Sequence, residues 1–137
     1  EHIAHLTLTD RPYFPPIRAA LDGERASGRS AEGPFKGGML GNWFARMLEP
    51  PPRRRLKTAK KLEPPRELRR EEVSADFVAC RDELLALMRA ADGLDLDRAR
   101  LRSPFLALLK MPVSSAFAVL LAHGRRHIWI AREGLSG

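Results

Sequence analysis

Imidazole carries the clearest chemical pattern in this sequence. The 137 residues include four histidines, and these form two pairs, His2 with His5 and His123 with His127, at opposite ends of the chain. His123 and His127 stand four apart, so on a helix both rings project from one face within reach of a single metal ion. That face is also the apolar one, and a low-dielectric setting favours the neutral imidazole that ligates zinc, nickel, copper or iron. A histidine from an antiparallel neighbouring helix, His5 or His2, completes a set of three, which leaves room for water or substrate. The plainer reading is a histidine pair hydrogen-bonded at the edge of a core. Sequence alone leaves both open.

Other groups with chemical capacity are less distinctive. Arg11, Arg125 and Arg126 suit carboxylates through their guanidinium forks, and a solvated helix face is the plainer account of them, above all for Arg125. Asp10, one turn beyond His5, reads as a general base, as a partner for a histidine N–H, or as surface charge. Cys80 lies near an apolar stripe and reads as packing rather than as a nucleophile.

The elements that must position these groups read as helices. Residues 1–10 form a helix with Ile3, Leu6 and either Thr7 or Leu8 inward. Pro12, Pro15 and Pro16 interrupt it, and a second helical piece starts near Pro15 and ends at Gly23, so one kinked or broken helix is expected. Residues 24–41 are glycine- and serine-rich loop. Asn42 caps a short helix whose apolar stripe is Trp43, Phe44 and Met47, read as core packing, and Pro50, Pro51 and Pro52 stop it. Residues 53–70, basic and broken by Pro64 and Pro65, read as an extended solvated connection. Ser74 opens the clearest helix, with Phe77, Leu84 and Ala91 on its stripe and Gly93 as its stop. Pro112 sits in the first turn of a last helix over 113–132. No β-type alternation is sustained, which predicts an all-α chain.

Composition agrees with one domain. Hydrophobic residues make up 44% and charged residues 30%, enough to fill a core and inconsistent with general disorder. The single cysteine rules out an internal disulfide and points to a reducing, cytoplasmic setting. The longest apolar stretches, such as 117–122, fall far short of the roughly 20 residues that cross a bilayer. A net charge of +7 and a pI near 10.5 raise nucleic-acid binding through Arg53, Arg54, Arg55, Lys57, Lys60 and Lys61. That run lacks the interleaved aromatic residues that stack bases, and a solvated loop is the better account.

Several segments resemble a known family. His5-Leu6-Thr7-Leu8-Thr9-Asp10-Arg11, then Tyr13-Phe14-Pro15 and Ile17-Arg18-Ala19-Ala20-Leu21, resemble the "HL…T-N-R…YLP…RAAL" stretch of DinB-like domains. His123-Gly124-Arg125-Arg126-His127-Ile128-Trp129 is similar to their "H-x-R-R-H-L-W-Q". Met47-Leu48-Glu49-Pro50-Pro51 and Ser103-Pro104-Phe105 match "M-L-E-P-P" and "S-P-F" of one subgroup. The resemblance covers nearly the whole chain. It implies a DinB/YfiT-like four-helix bundle with its first helix upstream of Glu1, a single domain over 1–137 with a Gly/Pro-rich, basic insertion at about 24–72.

The family's metal triad carries over to His5, His123 and His127, which implies one divalent ion, zinc, nickel, iron or manganese. His2 is unmatched by the pattern. Asp10 replaces a common asparagine, and Ile130 replaces the glutamine that usually follows the tryptophan. Characterised relatives include thiol-dependent S-transferases and isomerases. The expected function is therefore a metal-dependent thiol S-transferase or hydrolase acting on a small molecule, with a low-molecular-weight thiol as cosubstrate. Asp10 and Arg126 are the candidate catalytic residues, and a homodimer is the expected assembly. The alternative is a non-catalytic bundle that binds a partner, nucleic acid through its basic loop included.

Overall fold

Prolines set the first break in the chain. The computed structural model describes residues 2–52 and 69–136. Helix α1 (His2–Asp10) passes through a 3₁₀ turn at Arg11–Tyr13 into α2 (Phe14–Ala26). Asp10 and Tyr13 keep right-handed helical backbone angles, so the two form one kinked rod, as Pro12, Pro15 and Pro16 predict. The second piece runs three residues past Gly23, with Glu24 buried and gripped by both Arg29 Nε at 3.1 Å and Nη2 at 3.0 Å. Helices α3 (Met39–Leu48), α4 (Arg70–Ala90) and α5 (Val113–Ser136) complete the bundle. Helix α4 starts at Arg70 rather than Ser74, and Glu71 and Glu72 in its first turn complement the helix dipole. The basic run 53–68, with the connection expected there, lies outside the described residues.

One feature escaped the sequence pattern. Strands β1 (Arg100–Arg102) and β2 (Lys110–Pro112) pair antiparallel, with Leu101 opposite Met111. Only those two central apolar residues and Pro112 are buried, so three-residue strands leave no alternation long enough to read. Pro112 closes β2, directly before α5 begins.

The main core joins Phe14, Ile17 and Leu21 of α2, Cys80, Leu84 and Leu87 of α4, and Val113, Ala116 and Leu120 of α5. A smaller one joins Ala45 and Leu48 of α3 to Val119 and Ala122 of α5. Here the expected stripe is corrected: Trp43 is half exposed, and the buried residues of α3 are Gly41, Ala45 and Leu48. The reason is close approach. A Cβ on Gly41 would lie 2.6 Å from Ser115 Cβ, so only a small residue fits at that point of the seam and Trp43 turns outward, while Phe44 packs half-buried against the smaller core.

Asn42 is not the cap of α3 either. The helix starts at Met39 with Gly38 as its cap, and Asn42 Nδ2 reaches back to donate to the Lys36 carbonyl at 2.6 Å. Ser115 Oγ accepts from Gly38 N at 2.7 Å. Asp97 accepts from Lys36 N and Gly37 N, both at 2.9 Å, and from Ser114 Oγ at 2.6 Å. Burial works against ionising Asp97, yet these donors hold its carboxyl below the ordinary range. The glycine-rich loop is thus pinned to the start of α5. Among the described residues no helix is long and apolar enough to cross a membrane.

The seam gives a paired test. Gly41→Ala forces α3 and α5 apart and is expected to cost about 1–3 kcal/mol. Gly23→Ala, which meets nothing within 4 Å, is expected to gain up to about 1 kcal/mol from helix propensity. Urea midpoints measure both, and a neutral Gly41→Ala would mean that the helices are not in this contact.

Candidate metal centre

Helix periodicity brings the ends of the chain together. His5 lies on the buried side of α1 with Ala4, Leu6, Thr7 and Thr9, and α5 packs against that helix. His123 and His127, one turn apart on α5, have ring centroids 4.7 Å apart. The His5 ring centroid lies 5.4 Å from that of His123 and 4.8 Å from that of His127. One nitrogen from each of the three falls within 4.8 Å of the others. Of the two candidates for the third position, His5 is the one that joins this group. Sites with metal–nitrogen bonds of about 2.1 Å need donor separations of about 3.4 Å when tetrahedral.

The surroundings of His123 settle which of its nitrogens is available. Its Nδ1 lies 3.5 Å from Asp10 Oδ1 and 3.4 Å from Thr9 Oγ1. The Thr9 hydroxyl already donates to the His5 carbonyl at 2.9 Å, so towards His123 it can only accept. Asp10 is fully buried and its Oδ2 takes a charge-assisted bond from Arg81 Nη2 of α4. An ionised carboxylate also only accepts. Both neighbours of Nδ1 are therefore acceptors, which places the proton on Nδ1 and the lone pair on Nε2. The sequence left Asp10 as base, histidine partner or surface charge; its burial excludes the last. Arg81 had no signal beyond its place beside Cys80. Partial burial works against its charge, yet Asp10 raises its pKa. Its guanidinium also lies 5.2 Å over the Phe77 ring.

His127 is the ring most altered by its setting. Burial, followed by the neighbouring His123, His5, His2 and Arg126, lowers its pKa from 6.5 to about 3. It is neutral at pH 7, the form that ligates. His2, at the exposed start of α1, sets its Nδ1 3.1 Å from His127 Nδ1. Three imidazoles suit zinc, nickel and iron, while manganese prefers oxygen donors, so the donor set fits a divalent ion of the first group.

A sequence model of the DinB superfamily matches residues 1–131. The chain belongs to the DinB superfamily. No curated protein matches it, and no solved structure does. The superfamily is metal-associated, in keeping with the histidine cluster of this DinB-like bundle.

The candidate arginines separate. Arg11 Nη2 pairs with Asp76 of α4 at 2.6 Å, and Arg125 pairs with Glu49 just past α3, so both tie elements together at the surface. Arg126 is instead buried, with its charge close enough to contribute to the lowered pKa of His127. Cys80 is fully buried in the core, and burial pushes its thiol pKa up, which suits packing.

Two outcomes follow. Folded His127 takes its proton only near pH 3, and the unfolded chain takes it near 6.5. Between these values the unfolded state holds more protons, so the metal-free protein loses stability as pH falls through the window and gains nothing above it. Urea midpoints at pH 7 and pH 5 are expected to fall more for wild type than for His127→Gln; equal losses would place the ring in water. Asp10→Asn strips the counter-charge from Arg81 and is expected to cost up to about 3 kcal/mol. Adding Arg81→Met should restore most of that, as the same midpoints will read.

Proposed function

We propose that the chain is a metal-dependent enzyme of the thiol S-transferase or hydrolase type, with His5, His123 and His127 holding one divalent ion. The observation that carries the reading is the three ring nitrogens within 4.8 Å of one another. Its support comes from the acceptors behind His123, which turn Nε2 outward as the free donor. Three protein donors are one short of a tetrahedral set, the arrangement by which catalytic sites admit water or substrate. A divalent cation supplies Lewis acidity there, lowering the pKa of a neighbouring water or thiol towards neutrality.

The chain's own residues do the rest. Asp10 and Thr9 fix the tautomer and orientation of His123. Both Asp10 oxygens are engaged, Oδ2 by Arg81 and Oδ1 facing Thr9 and His123, so Asp10 positions a ligand rather than moving a proton. Arg126 places a buried positive charge beside the cluster, which favours an anionic nucleophile or a carboxylate-bearing thiol. His123, with 16% of its side chain exposed, keeps the cluster within reach of solvent. The substrate is accordingly a small molecule, and a low-molecular-weight thiol is the cosubstrate that this charge suits.

Elemental analysis of full-length protein purified without a histidine tag tests the reading. About one divalent ion per chain is expected after incubation with zinc or nickel, and none in the His123→Ala/His127→Ala variant. A chain that takes up no ion would be a packed bundle that keeps its histidines for burial. With the ion established, consumption of thiol and electrophile separates transferase from hydrolase.

A further inference from the structure

His2 belongs to none of the roles assigned above. It lies on the exposed first turn of α1, outside the group of three histidines that converge, and meets one member of that group. Its Nδ1 is 3.1 Å from His127 Nδ1, while the ring centroids are 5.4 Å apart at an interplanar angle of 49°. The rings therefore meet nitrogen to nitrogen rather than by stacking. Two imidazole nitrogens at hydrogen-bond distance need one proton between them, so one ring donates and the other accepts.

The two arrangements differ in chemistry. If His2 donates, His127 accepts at Nδ1 and carries its own proton on Nε2, which disables that nitrogen as a ligand. If His127 donates, its Nε2 is the lone pair, matching the state that Asp10 and Thr9 impose on His123. We infer that His2 is a positioning residue: it accepts the Nδ1–H of His127 and so fixes the tautomer and ring orientation that present Nε2 to the metal. This inference rests on the proposed metal site. It gives the two α5 ligands unlike supports, a buried carboxylate and threonine behind His123 and a solvent-exposed imidazole behind His127. Water satisfies the remaining N–H of His2 at no cost in burial.

Two substitutions separate positioning from packing. His2→Asn puts an amide oxygen acceptor close to where Nδ1 stood, and His2→Leu keeps bulk without an acceptor. In metal-free full-length protein, nitrogen-15 shifts of His127 are expected to report the Nδ1–H form in wild type and in His2→Asn, and a mixture in His2→Leu. Zinc affinity measured against a competing chelator is expected to fall roughly tenfold in His2→Leu and to stay within about threefold of wild type in His2→Asn. An unchanged tautomer in His2→Leu overturns the inference, as does an equal loss of affinity in both variants. X-ray absorption that counts four imidazoles on zinc in wild type and three in His2→Leu also overturns it, because His2 would then be a ligand. If wild type binds no zinc, the metal site itself fails, and the metal-free shifts still decide what His2 does to His127.

Discussion

A carboxylate sealed from water constrains the whole site. Asp10 is fully buried, and an unpaired buried carboxylate would cost several kcal/mol. Arg81 from α4 meets one oxygen, and Thr9 and the His123 ring of α5 face the other. Because each group comes from a different helix or turn, satisfying Asp10 sets how α1, α4 and α5 meet. The position of His5 follows, since it lies on α1 just over one turn before Asp10. The arrangement of the histidine cluster and the helix packing are two consequences of one buried charge.

Helix α5 can serve that network because its faces are divided by residue size. Val113, Ala116 and Leu120 fill the main core, while Ser115, Val119 and Ala122 meet α3. Small residues on both sides of the second seam let the backbones approach closely, with Gly41 against Ser115. The Gly38 amide then reaches Ser115 Oγ, and the loop before α3 reaches Asp97. The pinned loop completes the N-terminal end of α5, leaving its later turns to carry His123 and His127.

What could be read from sequence follows the range of the interaction. The kink at Pro12, the start of α2 and the His123–His127 spacing are local patterns, and each appears in the fold. The third member of the histidine cluster was narrowed only to His5 or His2 by spacing, and the family motif favoured His5. Asp10 stayed ambiguous because its meaning depends on Arg81, seventy-one residues away. On α3, Trp43 was misread for a related reason, although Phe44 does pack against the smaller core. Aromatic residues signal burial only where the partner helix leaves room, and the room was removed by Gly41 and Ser115. The β1–β2 ladder depends on one cross-strand pair of apolar residues, too short to leave a period.

The charge balance of the cluster bears on its chemistry. Three imidazole ligands bring no negative charge to an ion, whereas carboxylate ligands would offset part of it. The one carboxylate nearby is already matched by Arg81, and Arg126 adds a further positive charge beside His127. On the proposed reading, a divalent cation here therefore keeps nearly its full charge in a partly desolvated setting, where electrostatic effects are stronger than in water. Such a field does most for a nucleophile that becomes anionic as it reacts, and least for one that stays neutral. Thiols suit it better than amines, which attack without becoming anions, and better than water, because a thiol needs the smaller pKa shift to become an anion near neutral pH. The Asp10–Arg81 pair thus matters twice: it orients His123, and it keeps the orienting carboxylate from diminishing the field that would activate the nucleophile.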